Sequence, residues 1–296
     1  MRRSNRPELI FQTPFTSKPS VLPNAGMRWR MKIIRAGSRM IVKCYPVRAD
    51  YTQPRHHRGR SRRAQKSLNL RNSMEQFRLL CLNNFSGSDK FVTLTFADEP
   101  DNLAFFLEQK VFQERIKYFV KKLRKITGHD IKYIGCREDV NQNNEPIRTH
   151  VHLLISGAEK EEIEKAWSYG EVTKIEKIAA GIDNIISYCS KTFPLKEDNG
   201  QRYIRSRNLV PPDESDSKTL DIRYADDFDE LETILDYPKE YFEEFYPEYI
   251  LPEEPKIWQS EYISGYYMYA ELINRHSPDW QILAKDKRLS GEFSPP

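Results

Sequence analysis

From Lys90 onward, short runs of β-branched and aromatic residues alternate with segments of helical period, and this alternation constrains the fold more than any other feature of the chain. Lys90–Phe96 (KFVTLTF) reads as a strand, closed by Asp98-Glu99-Pro100. Asn102–Ile126 reads as a helix, with Phe105, Phe112, Ile116, Phe119, Val120 and Leu123 on one stripe, and Gly128 ends it. Ile131–Asp139 and Ile147–Ile155 flank the turn-forming stretch Asn141–Pro146 and predict a hairpin. A short helix (Ala158–Tyr169), a strand (Glu171–Ile178) and a last helix (Ile182–Phe193) complete the block. The order β-α-β-β-α-β-α predicts an α+β fold: an antiparallel sheet with helices mainly on one face, ferredoxin- or RRM-like, the other face open.

The flanks differ in composition. Residues 1 to about 28 are rich in Pro, Arg and Ser, which predicts an unstructured start. Trp29–Ile34 and Met40–Val47 follow as a candidate hairpin, then the basic cluster 54–63 leads into a helix ending near Asn83. After Pro194 the chain turns to Asp, Glu, Pro and Tyr, with helices expected at Phe228–Tyr237 and Gln259–Asn274. The resulting division is a basic, partly disordered arm (1–60), a central domain (61–210) and an acidic C-terminal region (211–296) of unassigned role.

Charge follows the same division: residues 1–88 sum to +16, 89–194 to −1 and 195–296 to −11, although the whole chain carries only +4. A basic segment on a near-neutral core suits phosphate neutralisation, so nucleic acid is the expected partner. Cys44, Cys81, Cys136 and Cys189 form no CxxC pair, which argues against a zinc ribbon or a disulfide framework. No stretch has the length and apolarity of a membrane span or a signal peptide, so a soluble protein of a reducing cytoplasm is expected.

The chemistry concentrates in Arg148-Thr149-His150-Val151-His152-Leu153-Leu154-Ile155. Strand alternation points His150 and His152 to one face and Thr149, Val151, Leu153 and Ile155 to the other. Two imidazoles about 7 Å apart along a strand can converge on one divalent cation, and two of only six histidines in the chain sit here. The preceding strand offers Glu138 or Asp139 as a third ligand. Hairpin register decides which, and alternation with Ile134 and Cys136 groups Glu138 with the apolar set, favouring Asp139. The last helix carries Tyr188-Cys189-Ser190-Lys191, whose Tyr188 and Lys191 share a helical face. A phenol of pKa near 10 needs a cation or a polarised target to act as a nucleophile, and Lys191 is a candidate cation or phosphate holder.

The ordered set FVTLTF (91–96), THVHLLI (149–155) and YCSK (188–191) resembles the three motifs of the HUH endonucleases, in particular rolling-circle replication initiators of small phages and plasmids. The resemblance covers roughly residues 60–210, and Tyr203–Leu209 resembles the close of that domain. Such initiators place a glutamate on the strand before the histidines, which implies Glu138 rather than Asp139. This chain has one YxxK where some phage initiators have paired tyrosines, a longer loop between Glu138 and the histidines, and no Walker A pattern, so no helicase of its own.

The resemblance implies Mg²⁺ or Mn²⁺ at His150, His152 and Glu138, attack by Tyr188 on single-stranded origin DNA, a 5′-phosphotyrosyl link and a 3′-hydroxyl primer for a host polymerase, with a host helicase opening the duplex. DNA contacts are expected from Arg58, Arg60, Arg62, Arg63, Lys174 and Lys177. A relaxase or single-tyrosine transposase shares these motifs. A DNA-binding regulator with structural histidines and a small-molecule metal hydrolase are rivals of other classes, the second leaving the basic arm and YCSK unexplained.

Overall fold

The computed structural model describes residues 27–48, 63–97, 108–141, 143, 145–178, 182–191, 193, 202–259 and 265–289. β1 (Met27–Ala36) and β2 (Arg39–Arg48) form the expected hairpin and α1 (Arg63–Asn84) follows. The central block runs β3 (Lys90–Phe96), α2 (Gln109–Thr127), β4 (Lys132–Val140), β5 (Pro146–Ser156), α3 (Lys160–Ala166), β6 (Gly170–Lys177) and α4 (Ile182–Ser190), in the predicted order. β7 (Ile204–Arg205), β8 (Lys218–Leu220), α5 (Ala225–Asp236), α6 (Pro238–Phe245), β9 (Tyr249–Ile250), β10 (Lys256–Gln259), β11 (Tyr266–Asn274) and α7 (Pro278–Leu289) complete the described chain. The fold is α+β with antiparallel sheets, and no described helix is long and apolar enough to cross a membrane.

The chain divides into two units. One joins the β1–β2 hairpin to strands and helices from the acidic C-terminal third. Its strand order is β10-β11-β2-β1-β8, with β9 also pairing β11. Trp29, Met31, Val42, Cys44, Met268 and Leu272 alternate inward and pack with Leu231 and Ile234 of α5 and Phe242 of α6. The helix expected over Gln259–Asn274 is not present: β10 pairs there with β11, a nine-residue strand. In Tyr266–Asn274 the aromatic residues favour extended backbone, and Met268, Ala270 and Leu272 bury at a period of two. Of the unstructured start expected for residues 1 to about 28, residues 1–26 lie outside the described residues, and Met27 and Arg28 open β1.

The other unit holds the antiparallel sheet β6-β3-β5-β4-β7. Val92, Leu94 and Phe96 of β3 and Val151, Leu153 and Ile155 of β5 face one way, onto Phe112, Ile116, Phe119 and Leu123 of α2 and Ile163 and Ala166 of α3. Gly128 caps α2 at φ 76°, its N–H donating to the Arg124 carbonyl, a conformation that favours glycine. The opposite face is not open as expected. Ile134, Cys136 and Leu154 on that face are buried, α4 lies against β4, and α1 packs on α4. Phe77 of α1 is fully buried, with ring centroids 5.3 Å from Phe193 and 5.4 Å from Tyr203. α1 and α4 thus supply an apolar cover that periodicity in the central block alone does not reveal.

Candidate metal centre and tyrosine site

The site forms where this cover stops. Antiparallel register sets Glu138 of β4 opposite His150 of β5, and Cys136 opposite His152. On the other side of β5, Thr93 of β3 lies opposite His152 and Thr95 opposite His150. All of these side chains share one face because partners across a ladder point the same way. The β4–β5 register shifts between Glu138 and Val140, a bulge at the rim of the site. Asn141 orders the connecting loop: its Oδ1 accepts from the N–H groups of Asn143 and Glu145.

Both histidine Nε2 atoms lie 3.0 Å from Glu138 Oε2. The far nitrogens are held differently. His150 Nδ1 is 3.0 Å from the Arg148 carbonyl, which can only accept, so this nitrogen carries the proton. A proton on Nε2 as well is donated to the Glu138 carboxylate, and the pair favours the imidazolium form of His150. His152 Nδ1 is 3.0 Å from Thr93 Oγ1, a hydroxyl that can donate or accept and so serves either tautomer. Hydrogen bonds from His150 and His152 bring the Glu138 carboxyl down to about 2 against the cost of burial. Burial opposes a charge on His150, but the bonds to Glu138 and Arg148 and the Glu138 and Asp139 carboxylates outweigh it and raise its pKa above the ordinary 6.5.

Tyr188 stands beside this cluster. Its ring is 4.9 Å from that of His152 at 82°, and Phe91 lies 6.4 Å from Tyr188 while stacking on His152 at 5.9 Å. Tyr188 remains 44% exposed, so a large substrate can reach it. Burial raises its phenol above the usual 10, Glu138 and Cys189 add to this, and Lys174 pulls the other way. Lys191 Nζ sits over the Tyr188 ring, 5.4 Å from its centre. The cation acting on the phenol charge is therefore Lys174, on a neighbouring strand.

Glu138, His150 and His152 present one ligand atom each, all within 4.8 Å of one another, a group able to hold a metal ion. Two imidazole nitrogens and one carboxylate oxygen on one face fit a divalent transition ion or Mn²⁺, with positions left for water or substrate. The preference for Asp139 from alternation is corrected. Asp139 points to the opposite face, where its Oδ1 accepts from Arg137 Nε and from Thr149 Oγ1, both at 2.8 Å. Apolarity misled because the helices bury both faces near Ile134 and Cys136. Residues 89–193 match a family model of replication-associated proteins. This stretch is about a third of the chain and contains Glu138, His150, His152 and Tyr188. The match to replication-associated proteins is consistent with a rolling-circle initiator acting on origin DNA. No curated protein and no solved structure matches the chain.

The expected DNA contacts divide. Arg58, Arg60 and Arg62 lie outside the described residues, and Arg63 opens α1. Lys174 and Lys177 do not share a face: three positions apart on a strand, they point to opposite sides. Lys174 pairs with Thr93 across the ladder, on the side of the site, and ion-pairs with Glu176 at 2.9 Å. Lys177 pairs with Lys90 and acts on Glu159. At a bulge between Thr93 and Leu94, Thr173 bonds Thr95 Oγ1 at 2.9 Å and the Thr93 carbonyl at 3.2 Å, and Lys174 pairs with Thr93 on the face that carries the histidines. Phe91 and Thr93 were missed as site residues in sequence reasoning, although the parity of Phe91, Thr93 and Thr95 in FVTLTF carries the signal.

Proposed function

We propose that this chain initiates rolling-circle replication by nicking single-stranded origin DNA through Tyr188, as a metal-dependent endonuclease and strand transferase, with 61–210 as the catalytic domain. The observation that carries this reading is the contact of the Tyr188 ring with His152, inside a Glu138–His150–His152 group. The replication-associated match over the same residues supports it.

In this reading Glu138, His150 and His152 hold the cation, and Thr93 and the Arg148 carbonyl aim the imidazoles. A bound divalent ion supplies polarisation of the scissile phosphate and offsets the Glu138 charge that disfavours the Tyr188 phenolate. The two nitrogens favour Mn²⁺ over Mg²⁺, which prefers oxygen donors. Tyr188 Oη bonds to phosphorus, the bond from phosphorus to the 3′-oxygen breaks, the phenol proton passes to water, and the leaving 3′-oxygen takes a proton from water to become a hydroxyl. Lys174 draws the phosphate toward the tyrosine and Lys191 steadies the ring. The phosphotyrosyl bond keeps the phosphodiester energy, so a later 3′-hydroxyl reverses the step and closes a circle. A host helicase and polymerase supply unwinding and synthesis.

The test is incubation with Mn²⁺ and short single-stranded oligonucleotides from the replicon that encodes the chain, followed by a denaturing gel. A protein–DNA adduct that disappears in Tyr188→Phe and with chelator is expected. An undiminished adduct in Tyr188→Phe removes Tyr188 from the reaction, and cutting without any adduct makes the enzyme a hydrolase.

A further inference from the structure

β1 has an alternation that the site above does not use. In Arg28-Trp29-Arg30-Met31-Lys32-Ile33, the apolar residues are buried in the core of the six-stranded sheet, while Arg28, Arg30 and Lys32 are half-buried on its other face. The same face receives Lys43 and Tyr45 from β2, because Val42 and Cys44 point inward. Across the ladder, Lys256 of β10 pairs with Tyr269 of β11, which pairs with Lys43 of β2, so cation, aromatic and cation stand side by side on three strands. Trp258 and Tyr267 pair likewise and stack, with centroids 5.7 Å apart at 16°. Trp258 is 44% exposed. Buried Ile34, Ile41 and Ile273 bound the patch at the other end of these strands.

This surface belongs to a unit built largely from the acidic C-terminal third, yet Arg28, Arg30, Lys32, Lys43 and Lys256 share this face. Among the described residues, Asp221 accepts from Arg28 and Arg223, Glu271 from Arg39 and the Tyr269 hydroxyl, and Glu214 ion-pairs with Lys32 at 2.9 Å. Arg30 is held by the neutral Thr219 hydroxyl at 3.0 Å and keeps its charge. Cations for phosphates, interleaved with aromatic faces for unpaired bases, are the two elements of a single-strand binding platform.

We propose that this sheet face, centred on Arg30, Lys43, Tyr267 and Trp258, binds single-stranded DNA as a second contact distinct from the tyrosine site. The choice of DNA over RNA rests on the proposed function; the stacking and charge do not. The face holds the strand by backbone charge and stacking without reading its sequence.

The experiment measures binding of a fluorescent single-stranded oligonucleotide to the full chain in EDTA, across a salt series, with the adduct assay in Mn²⁺ run in parallel. Trp258→Ala/Tyr267→Ala is expected to weaken binding about tenfold or more, and Trp258→Phe to keep most of it. Arg30→Ala/Lys43→Ala is expected to make the salt slope shallower by about 1.4, for two phosphates released. Wild-type affinity and slope in both double variants overturn the proposal. An equal loss on blunt duplex DNA removes base stacking and overturns it too, as does a loss seen on single-stranded RNA alone. If wild type binds DNA with these losses but forms no adduct, the nicking reaction fails and the sheet face stands.

Discussion

The Glu138–His150 pair sets a pH dependence for cation binding. Below its raised pKa His150 donates both ring protons, one to the Arg148 carbonyl and one to Glu138, so a cation entering at Nε2 there must displace a proton. Glu138, lowered to about 2, stays charged throughout the accessible range and contributes no proton of its own. The sign follows from the raised His150 pKa. Without metal, the imidazolium pair stabilises the fold fully below the unfolded value of 6.5, and that contribution is lost as pH rises through the folded value. With metal the order reverses, because the neutral ring is the ligand. Below the folded pKa each pH unit costs about tenfold in metal affinity for this proton, or about 1.4 kcal/mol. At saturating metal this increment appears directly as stability, about 2–5 °C in melting temperature per pH unit for a domain of this size. Thermal melts of the full chain with and without Mn²⁺, from about pH 5.5 to about pH 8, measure it. The metal-induced shift should grow with pH and level off once His150 is neutral; Glu138→Gln should give a smaller shift at every pH. A shift that is flat or shrinks between about pH 5.5 and about pH 6.5 refutes the displaced proton.

Two substitutions separate holding a ligand from supporting one. Thr93→Val removes the hydroxyl that serves His152 Nδ1 and should weaken Mn²⁺ binding about 10–100-fold, with about 1 kcal/mol lost in stability; an unchanged Kd by calorimetry contradicts the orienting role. Asp139→Asn removes the charged partner of the buried Arg137 guanidinium and should cost about 2–4 kcal/mol in denaturant melts while leaving Mn²⁺ affinity near wild type; lost metal binding in a folded Asp139→Asn protein would return Asp139 to the ligand set.

Much of the central fold was legible because each element there obeys one period. FVTLTF, THVHLLI and the stripe Phe112, Ile116, Phe119 and Leu123 bury the residues that their spacing selects. The Gly128 stop and the Asn141 turn act locally and were visible for the same reason. Long-range pairing was not. The β1–β2 hairpin finds its partners β8 and β11 far along the chain, and no local signal in an Asp-, Glu- and Tyr-rich stretch announces a strand that needs them. Tyr266–Asn274 also contains Met, Ala, Glu and Leu, good helix formers, and its extended form rests on pairing with both β2 and β10.

The site shows where periodicity stops being enough. Alternation placed Glu138 with Ile134 and Cys136, which is correct: all three share the face that carries the histidines. The step from apolar neighbours to the wrong side of the sheet fails because α1 and α4 bury one part of that face and leave the rest to the site. A carboxylate at the border between a dry cover and an exposed tyrosine can be lowered to about 2 by two histidines and still lie within reach of solvent. That border also explains the state of Tyr188. Its ring packs against Phe91 and His152, while burial and the Glu138 charge raise its phenol above the usual 10. In the proposed reaction, the carboxylate that would help hold a cation is therefore also a charge that disfavours the Tyr188 phenolate.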